Sequence, residues 1–206
     1  YYQPDNAVLV IAGKFDRAAT LALVESTFGA IPRPTRTLEP AYTRDPAQDG
    51  AREVRVNRVG DTPLLGLLYH TAPASHPDAA AMAALAEIMG DTPNGRLHKA
   101  LVEGGQAVSV GPWNFALAEA GYIIFMTELT KEQPAATARA SLRTQLENLA
   151  QQPITAAELA RAKTAMLADI ESTLNSPQSL ALRLTDAIAN GDWRLFFLAR
   201  DRIEAL

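Results

Sequence analysis

Apolar positions along this chain repeat with a spacing that switches between two and three-to-four residues, and each switch marks a new element. Ala7-Val8-Leu9-Val10-Ile11-Ala12 is a near-continuous apolar run, the mark of a strand covered on both faces. Gly13 ends it. Asp16 can cap the helix that follows, in which Ala19, Leu21, Leu23, Val24 and Phe28 largely share one side before Gly29 stops it. Residues 30–51 contain Pro32, Pro34, Pro40 and Pro46 and little periodicity. Proline at that density disfavours helix and resists central strands, so the stretch reads as a linker with a domain boundary in it.

After the linker, Glu53-Val54-Arg55-Val56-Asn57-Arg58-Val59 alternates polar and apolar as a half-buried strand does. Gly60-Asp61 turns the chain, and Leu64 to His70 makes a more apolar strand. Ser75-His76-Pro77-Asp78 has the composition of a helix start, with serine as cap and proline in the first turn. Met82, Leu85, Ile88 and Met89 supply that helix's buried stripe, and Gly90 ends it. A short helix over 94–103 stops at Gly104-Gly105, and strands are expected over 107–117 and 121–129. The rest is helical. Ala138, Leu142, Leu146 and Leu149 form one stripe over 132–151, and Thr155 with Glu158 makes a capping box for a helix over 156–174. Ser176-Pro177 starts another helix, Asn190-Gly191 ends it, and Asp192 opens the last. This order predicts an α+β fold, a mainly antiparallel sheet with helices packed on one side.

The chain of 206 residues is 48% apolar and 20% charged, enough for a buried core. Its net charge of −4 is spread along the sequence without a basic stripe, which argues against a nucleic-acid partner. Cysteine is absent, excluding disulfides, thiolate metal sites and a cysteine nucleophile. No apolar run approaches the roughly 18–20 residues that would span a bilayer, so membrane insertion is not expected. The chain opens Tyr1-Tyr2-Gln3-Pro4 and stops within a helical pattern at Leu206, ends that read as those of a fragment.

A search for catalytic chemistry finds none. A helical zinc-peptidase site needs two histidines four apart with a glutamate beside them, whereas the three here, His70, His76 and His98, stand six and 22 apart. His76 reads as a residue at a helix start and His70 as one at a strand end. There is no G-x-S-x-G nucleophile elbow, since Val108-Ser109-Val110-Gly111 lacks the first glycine, and Gly104-Gly105 has no G-K-[ST] after it. Glu158 and Glu171 read as carboxylates on a solvated helix face, and Trp113 and Trp193 as core or interface anchors. No catalytic residue and no metal ligand is assigned, and substrate-binding residues stay open.

Several segments nevertheless resemble one family. The stretch from Tyr2-Gln3-Pro4-Asp5-Asn6-Ala7 to Gly13-Lys14-Phe15-Asp16 resembles the Y-x-P-x-N-A-x-L-V-V-x-G-x-hydrophobic-D segment of insulinase/pitrilysin-like zinc metallopeptidases. Phe28-Gly29-Ala30-Ile31-Pro32 resembles the F-G-x-I-P segment that closes their catalytic domain. His76-Pro77-Asp78 and Gly95-Arg96-Leu97-His98-Lys99-Ala100-Leu101-Val102 resemble the domain that follows, and Gly191-Asp192-Trp193-Arg194-Leu195-Phe196-Phe197 a segment of bacterial two-repeat members. The resemblance implies the metallopeptidase (LuxS/MPP-like) fold. It divides the chain into the C-terminal end of a catalytic-type domain over 1–34, a Pro-rich linker over 35–51 and an inactive peptidase-like domain over 52–206. It further implies zinc in an upstream domain, with no cofactor in this chain, which alone is not expected to cleave peptides. The family's assisting Arg and Tyr positions fall at Val102 and near Val108, and neither valine can donate a hydrogen bond. The implied role is a structural domain in the wall of a peptide-degradation chamber. Its implied partners are the catalytic domain and second half of the same polypeptide, with peptide as the substrate of the intact enzyme and the periplasm as location. A degenerate scaffold or assembly subunit of the same fold, a non-cleaving peptide-binding module and an enzyme with an unfamiliar site are the other readings.

Overall fold

The computed structural model describes residues 1–39, 46–60 and 62–206, so Pro40 of the expected linker and Asp61 of the expected turn lie outside the described residues. The chain divides into two compact units, Tyr1–Val59 and Gly60–Leu206.

Among the described residues the first unit contains a 3-10 turn over Pro4–Asn6 and one α-helix, α1 (Arg17–Thr27), whose N-terminus is held by Asp16: its carboxylate accepts from the Ala19 amide at 2.7 Å. This is the capping the sequence predicts, since a short acceptor satisfies an amide that has no partner within the helix. The two strands expected here are absent among the described residues. Residues 7–12 form no ladder, and Val8, Leu9 and Ile11 are exposed. Residues 53–59 are likewise unpaired, with Val54, Val56 and Val59 exposed. Both segments have strand-like sequences. A strand is completed by hydrogen bonds to a neighbour, however, and no neighbouring strand stands beside either one among the described residues.

The second unit is built on a three-stranded sheet in the order β1-β3-β2, where β1 is Leu64–Thr71, β2 Ala107–Phe115 and β3 Gly121–Leu129. Both pairings are antiparallel; Leu67 lies opposite Phe125, and Trp113 opposite Ile124. β3 alternates strictly between buried and half-buried residues, because successive side chains leave a strand on opposite faces. Its buried set, Ile123, Phe125, Thr127 and Leu129, meets the helices.

Those helices are α2 (Ala79–Gly90), α3 (Ala135–Glu147), α4 (Ala156–Leu174), α5 (Pro177–Ala189) and α6 (Leu195–Glu204), with a π-helical turn over His98–Val102. Met89, Leu97, Leu101, Leu142 and Leu146 close the core over Ile123 and Phe125. Burying Phe125 and Met89 fully contributes about 1.5–3 kcal/mol each. A Cβ on Gly90 would overlap the Pro112 ring, so the end of α2 can lie against β2 only with glycine there. α4, α5 and α6 form a further layer against α2, contributing Ala162, Ala187 and Ile203 to the buried set.

Several boundaries differ from the sequence reading: β2 ends at Phe115 rather than 117, α3 occupies only Ala135–Glu147 of the expected 132–151, the expected helix over 94–103 centres on the π-helical turn, and the start of α2 moves most clearly. α2 begins at Ala79 behind Asp78 rather than behind Ser75. The His76 amide bonds to the Pro73 carbonyl, and the His76 imidazole Nδ1 accepts from the Asp78 amide at 3.1 Å. Arg202 of α6 then donates to the Ser75 and His76 carbonyls at 3.0 and 3.1 Å. The imidazole thus takes an amide that a capping serine would have accepted, and the segment becomes a turn pinned by an arginine.

Candidate functional site

Alternation on the strands gives the sheet a second face, which no helix of this unit covers among the described residues. Leu64 and Leu68 of β1, Trp113 and Phe115 of β2, and Tyr122, Ile124 and Met126 of β3 lie on it. Trp113 is 59% exposed and Leu68 51%. Phe115 and Tyr122 stand opposite each other and stack at 4.8 Å between ring centroids. Gly66 lies opposite Met126, and a Cβ there would come 2.8 Å from the Met126 sulfur. Glycine therefore leaves the thioether lying flat along the face. His70 and Glu128 are its polar margin. An antiparallel sheet commonly keeps one face wet, but such a face is normally polar. A contiguous patch of this size carrying tryptophan and phenylalanine marks an interaction surface.

The edges differ from one another. β3 is central and has no free edge, so of the strands over 107–129 only β2 offers one. There Pro112 has no amide to donate, and the register shifts between Ala107 and Ser109. Both features resist the addition of a strand, whereas β1 carries no proline.

The residues singled out from the sequence are dispersed. His70 ends β1 on the open face, His76 lies in the turn before α2, and His98 in the π-helical turn, where its Nδ1 is 3.8 Å from a Glu103 oxygen. Among the described residues no group of three His, Asp or Glu side chains could hold a metal ion. Val102 is half-buried against the core. Val108 is exposed at the register shift, a bulge that turns its side chain outward. Trp113, read from the sequence as a core or interface anchor, lies outside the core on the open face of β2. Trp193 packs edge-on against Phe197 at 5.9 Å and is 54% exposed.

Glu158 is not on a solvated face. Its carboxylate accepts two bonds from Arg96, each 2.7 Å, while the same guanidinium donates to the Gln152 and Pro153 carbonyls at 2.7 and 2.8 Å. Both side chains are mostly buried, at 16% and 17% exposed. The Thr155 amide and hydroxyl also bond to this carboxylate, at 2.9 and 2.8 Å, completing the capping box. Arg96 foremost, then the Thr155 bonds, hold the Glu158 carboxyl down at about 2, against the opposing effect of burial. The clamp fixes the start of α4 to the segment leading into Leu97 and Leu101. The capping spacing was visible in the sequence; the arginine 62 residues away was not. Nothing local pairs Arg96 with Glu158.

The fold is an α+β domain whose three-stranded antiparallel sheet carries helices on one face and an apolar, largely uncovered surface on the other. The chain belongs to the family described as Peptidase M16 inactive domain, whose profile matches residues 1–166. It is 26% identical over 195 residues to the zinc protease PqqE of Helicobacter pylori, a match covering 93% of this chain and 44% of that protein. It therefore spans under half the length of that curated relative. A crystal structure of a Helicobacter pylori protease is similar over the whole chain and 50% of its own, at 25% identity and a TM-score of 0.92. A Bordetella parapertussis structure described as the inactive peptidase domain of a zinc protease is 36% identical, with a TM-score of 0.68. That match covers 73% of this chain and 81% of the other.

Proposed function

We propose that this chain is a structural part of a zinc metallopeptidase, forming a section of the wall of a peptide-degradation chamber and supplying no catalytic group. The observation that carries this reading is the uncovered apolar face of the sheet. Trp113, Phe115, Leu68 and Leu64 are exposed together on a face with little charge, the composition of a contact between domains. On this reading the partners are the catalytic domain and the second half of the same polypeptide, peptide is the substrate of the intact enzyme, and zinc is held upstream.

Residues 1–34 are, on the same reading, the C-terminal end of the preceding catalytic-type domain. The exposed run Val8, Leu9 and Ile11 supports this, because it has the sequence of a fully covered strand. Residues 35–51 are the linker and 52–206 the inactive domain. The periplasm is the compartment we assign, since bacterial two-repeat members of the family are commonly exported.

The test is chelator-sensitive cleavage of a mixed peptide library with zinc added. The 206-residue chain is compared with a longer polypeptide that includes the upstream zinc-binding domain. Cleavage is expected only from the longer form. Trp113→Glu in that form should reduce turnover at least about tenfold with zinc content unchanged, because it places a charge in the packed face. Turnover by the 206-residue chain alone, or full activity of the Trp113→Glu enzyme, would overturn the proposal.

A further inference from the structure

Away from the sheet, α2, α4, α5 and α6 enclose a cleft of about 490 Å³, within the size range of binding sites. Its walls are apolar, formed chiefly by Met166, Ile170 and Phe196. Three charged side chains also line it: Glu87 of α2, Asp169 of α4 and Arg183 of α5. Arg183 is taken by Asp169 at 3.2 Å. Glu87 has no hydrogen bond or ion pair from any described side chain. Burial foremost, then the neighbouring carboxylates of Asp91, just past the end of α2, and Asp169 across the cleft, raise its pKa. Three cations of α4 and α6 are engaged elsewhere. Lys163 bonds to the Glu204 and Leu206 carbonyls, Arg202 to those of Ser75 and His76, and Arg200 to Glu204.

A half-buried carboxylate with no paired side chain and carboxylates for neighbours leaves room for a cation, and the adjoining walls suit an aliphatic stem rather than a hydrated ion. We propose that this cleft receives an arginine or lysine side chain of a polypeptide, its charge on Glu87 and its methylenes against Met166, Ile170 and Phe196. A polypeptide is the better occupant than a free amine. The cleft is open on its outer side, so a small ligand would keep much of its surface in water. A side chain is held in place by its own backbone. The inference does not depend on the proposed role in a peptidase.

The test is titration of the isotope-labelled 206-residue chain with the peptide Ac-Ala-Leu-Arg-Ala-NH2, followed by amide chemical shifts. Saturable shifts are expected around Glu87, Met166, Asp169 and Phe196. The same peptide with citrulline for arginine should bind at least about tenfold more weakly, as should butylguanidinium alone. Glu87→Gln should weaken the arginine peptide about tenfold without unfolding the chain, since it removes a charge that nothing compensates. Asp169→Asn, which releases Arg183 to repel the incoming cation, should weaken it too, and gives an independent reading should Glu87→Gln disturb the fold. Absence of saturable shifts, equal binding of the citrulline peptide, or unchanged affinity in both variants would overturn the proposal. Equal affinity for butylguanidinium would also overturn it, by making this a site for small amines.

Discussion

β3 and the run at residues 7–12 ask for the same structure and receive opposite treatment. Gly121–Leu129 is a strand paired on both sides, with Ile123 and Phe125 each 1% exposed. Ala7–Ala12 is at least as apolar, yet it forms no ladder, and Val8 is 65% exposed. The difference lies in neighbours rather than composition. β3 has β1 and β2 in the same unit, β2 joined to it by a five-residue connection and β1 lying earlier in the chain, before α2. Apolar side chains gain from burial only when something buries them, and a strand's ladder bonds form only with a neighbouring strand. Exposed strand-like sequence therefore reports where a fold expects company.

The largest expected effect tests that contrast directly. Phe125→Ala should cost about 3–5 kcal/mol in urea denaturation of this chain, while Leu9→Ala should cost under about 0.5 kcal/mol. In a longer polypeptide that covers residues 7–12, the Leu9 substitution should become a core substitution costing about 2–4 kcal/mol. Equal small costs in both forms would remove the proposal that these residues complete a neighbouring domain.

Next comes the clamp. Arg96→Ala leaves the Glu158 carboxylate and two carbonyls short of donors, and should cost about 3 kcal/mol by the same denaturation measurement. A loss below about 1 kcal/mol would mean that the pair is solvated rather than structural.

The clamp also sets a pH dependence. The Glu158 carboxyl titrates at about 2 when folded, against 4.5 ordinarily, so the unfolded chain takes up its proton first as pH falls. The stabilisation is fully present above pH 4.5 and is lost progressively as pH falls towards 2. Allowing for partial solvent screening, it amounts to about 2 kcal/mol. Glu158→Gln should be less stable at neutral pH and lose less between those pH values. An unchanged acid slope in that variant would assign the loss to other carboxylates.

The smallest effect has the opposite sign. Thr127 is 1% exposed on the helix-facing side of β3, and its hydroxyl has no hydrogen-bond partner among the described residues. Thr127→Val keeps the shape and removes the unsatisfied group, and should stabilise the chain by about 1 kcal/mol in a thermal melt. A loss instead would indicate that a bound water satisfies the hydroxyl.

The sequence by itself determined everything that depends on near neighbours. The apolar segments that become β1 and β3, the capping residues Asp16 and Thr155, the stripes of α2 and α3 and the α+β order all act within a few residues, and each was legible there. So was the resemblance to a peptidase family, and with it membership of the inactive-domain kind. Only the tertiary structure decided three other matters. It gave the Asp78 amide to the His76 imidazole instead of Ser75 and pinned that turn with Arg202, it paired Glu158 with Arg96, and it left one sheet face bare while covering the other. It also gathered Glu87, Asp169 and Arg183 from three helices around one cleft. These contacts join residues far apart in the chain, and their energies depend on burial and on what stands opposite. A linear pattern of polar and apolar residues records which way a side chain points from its own element, but not what it will meet there.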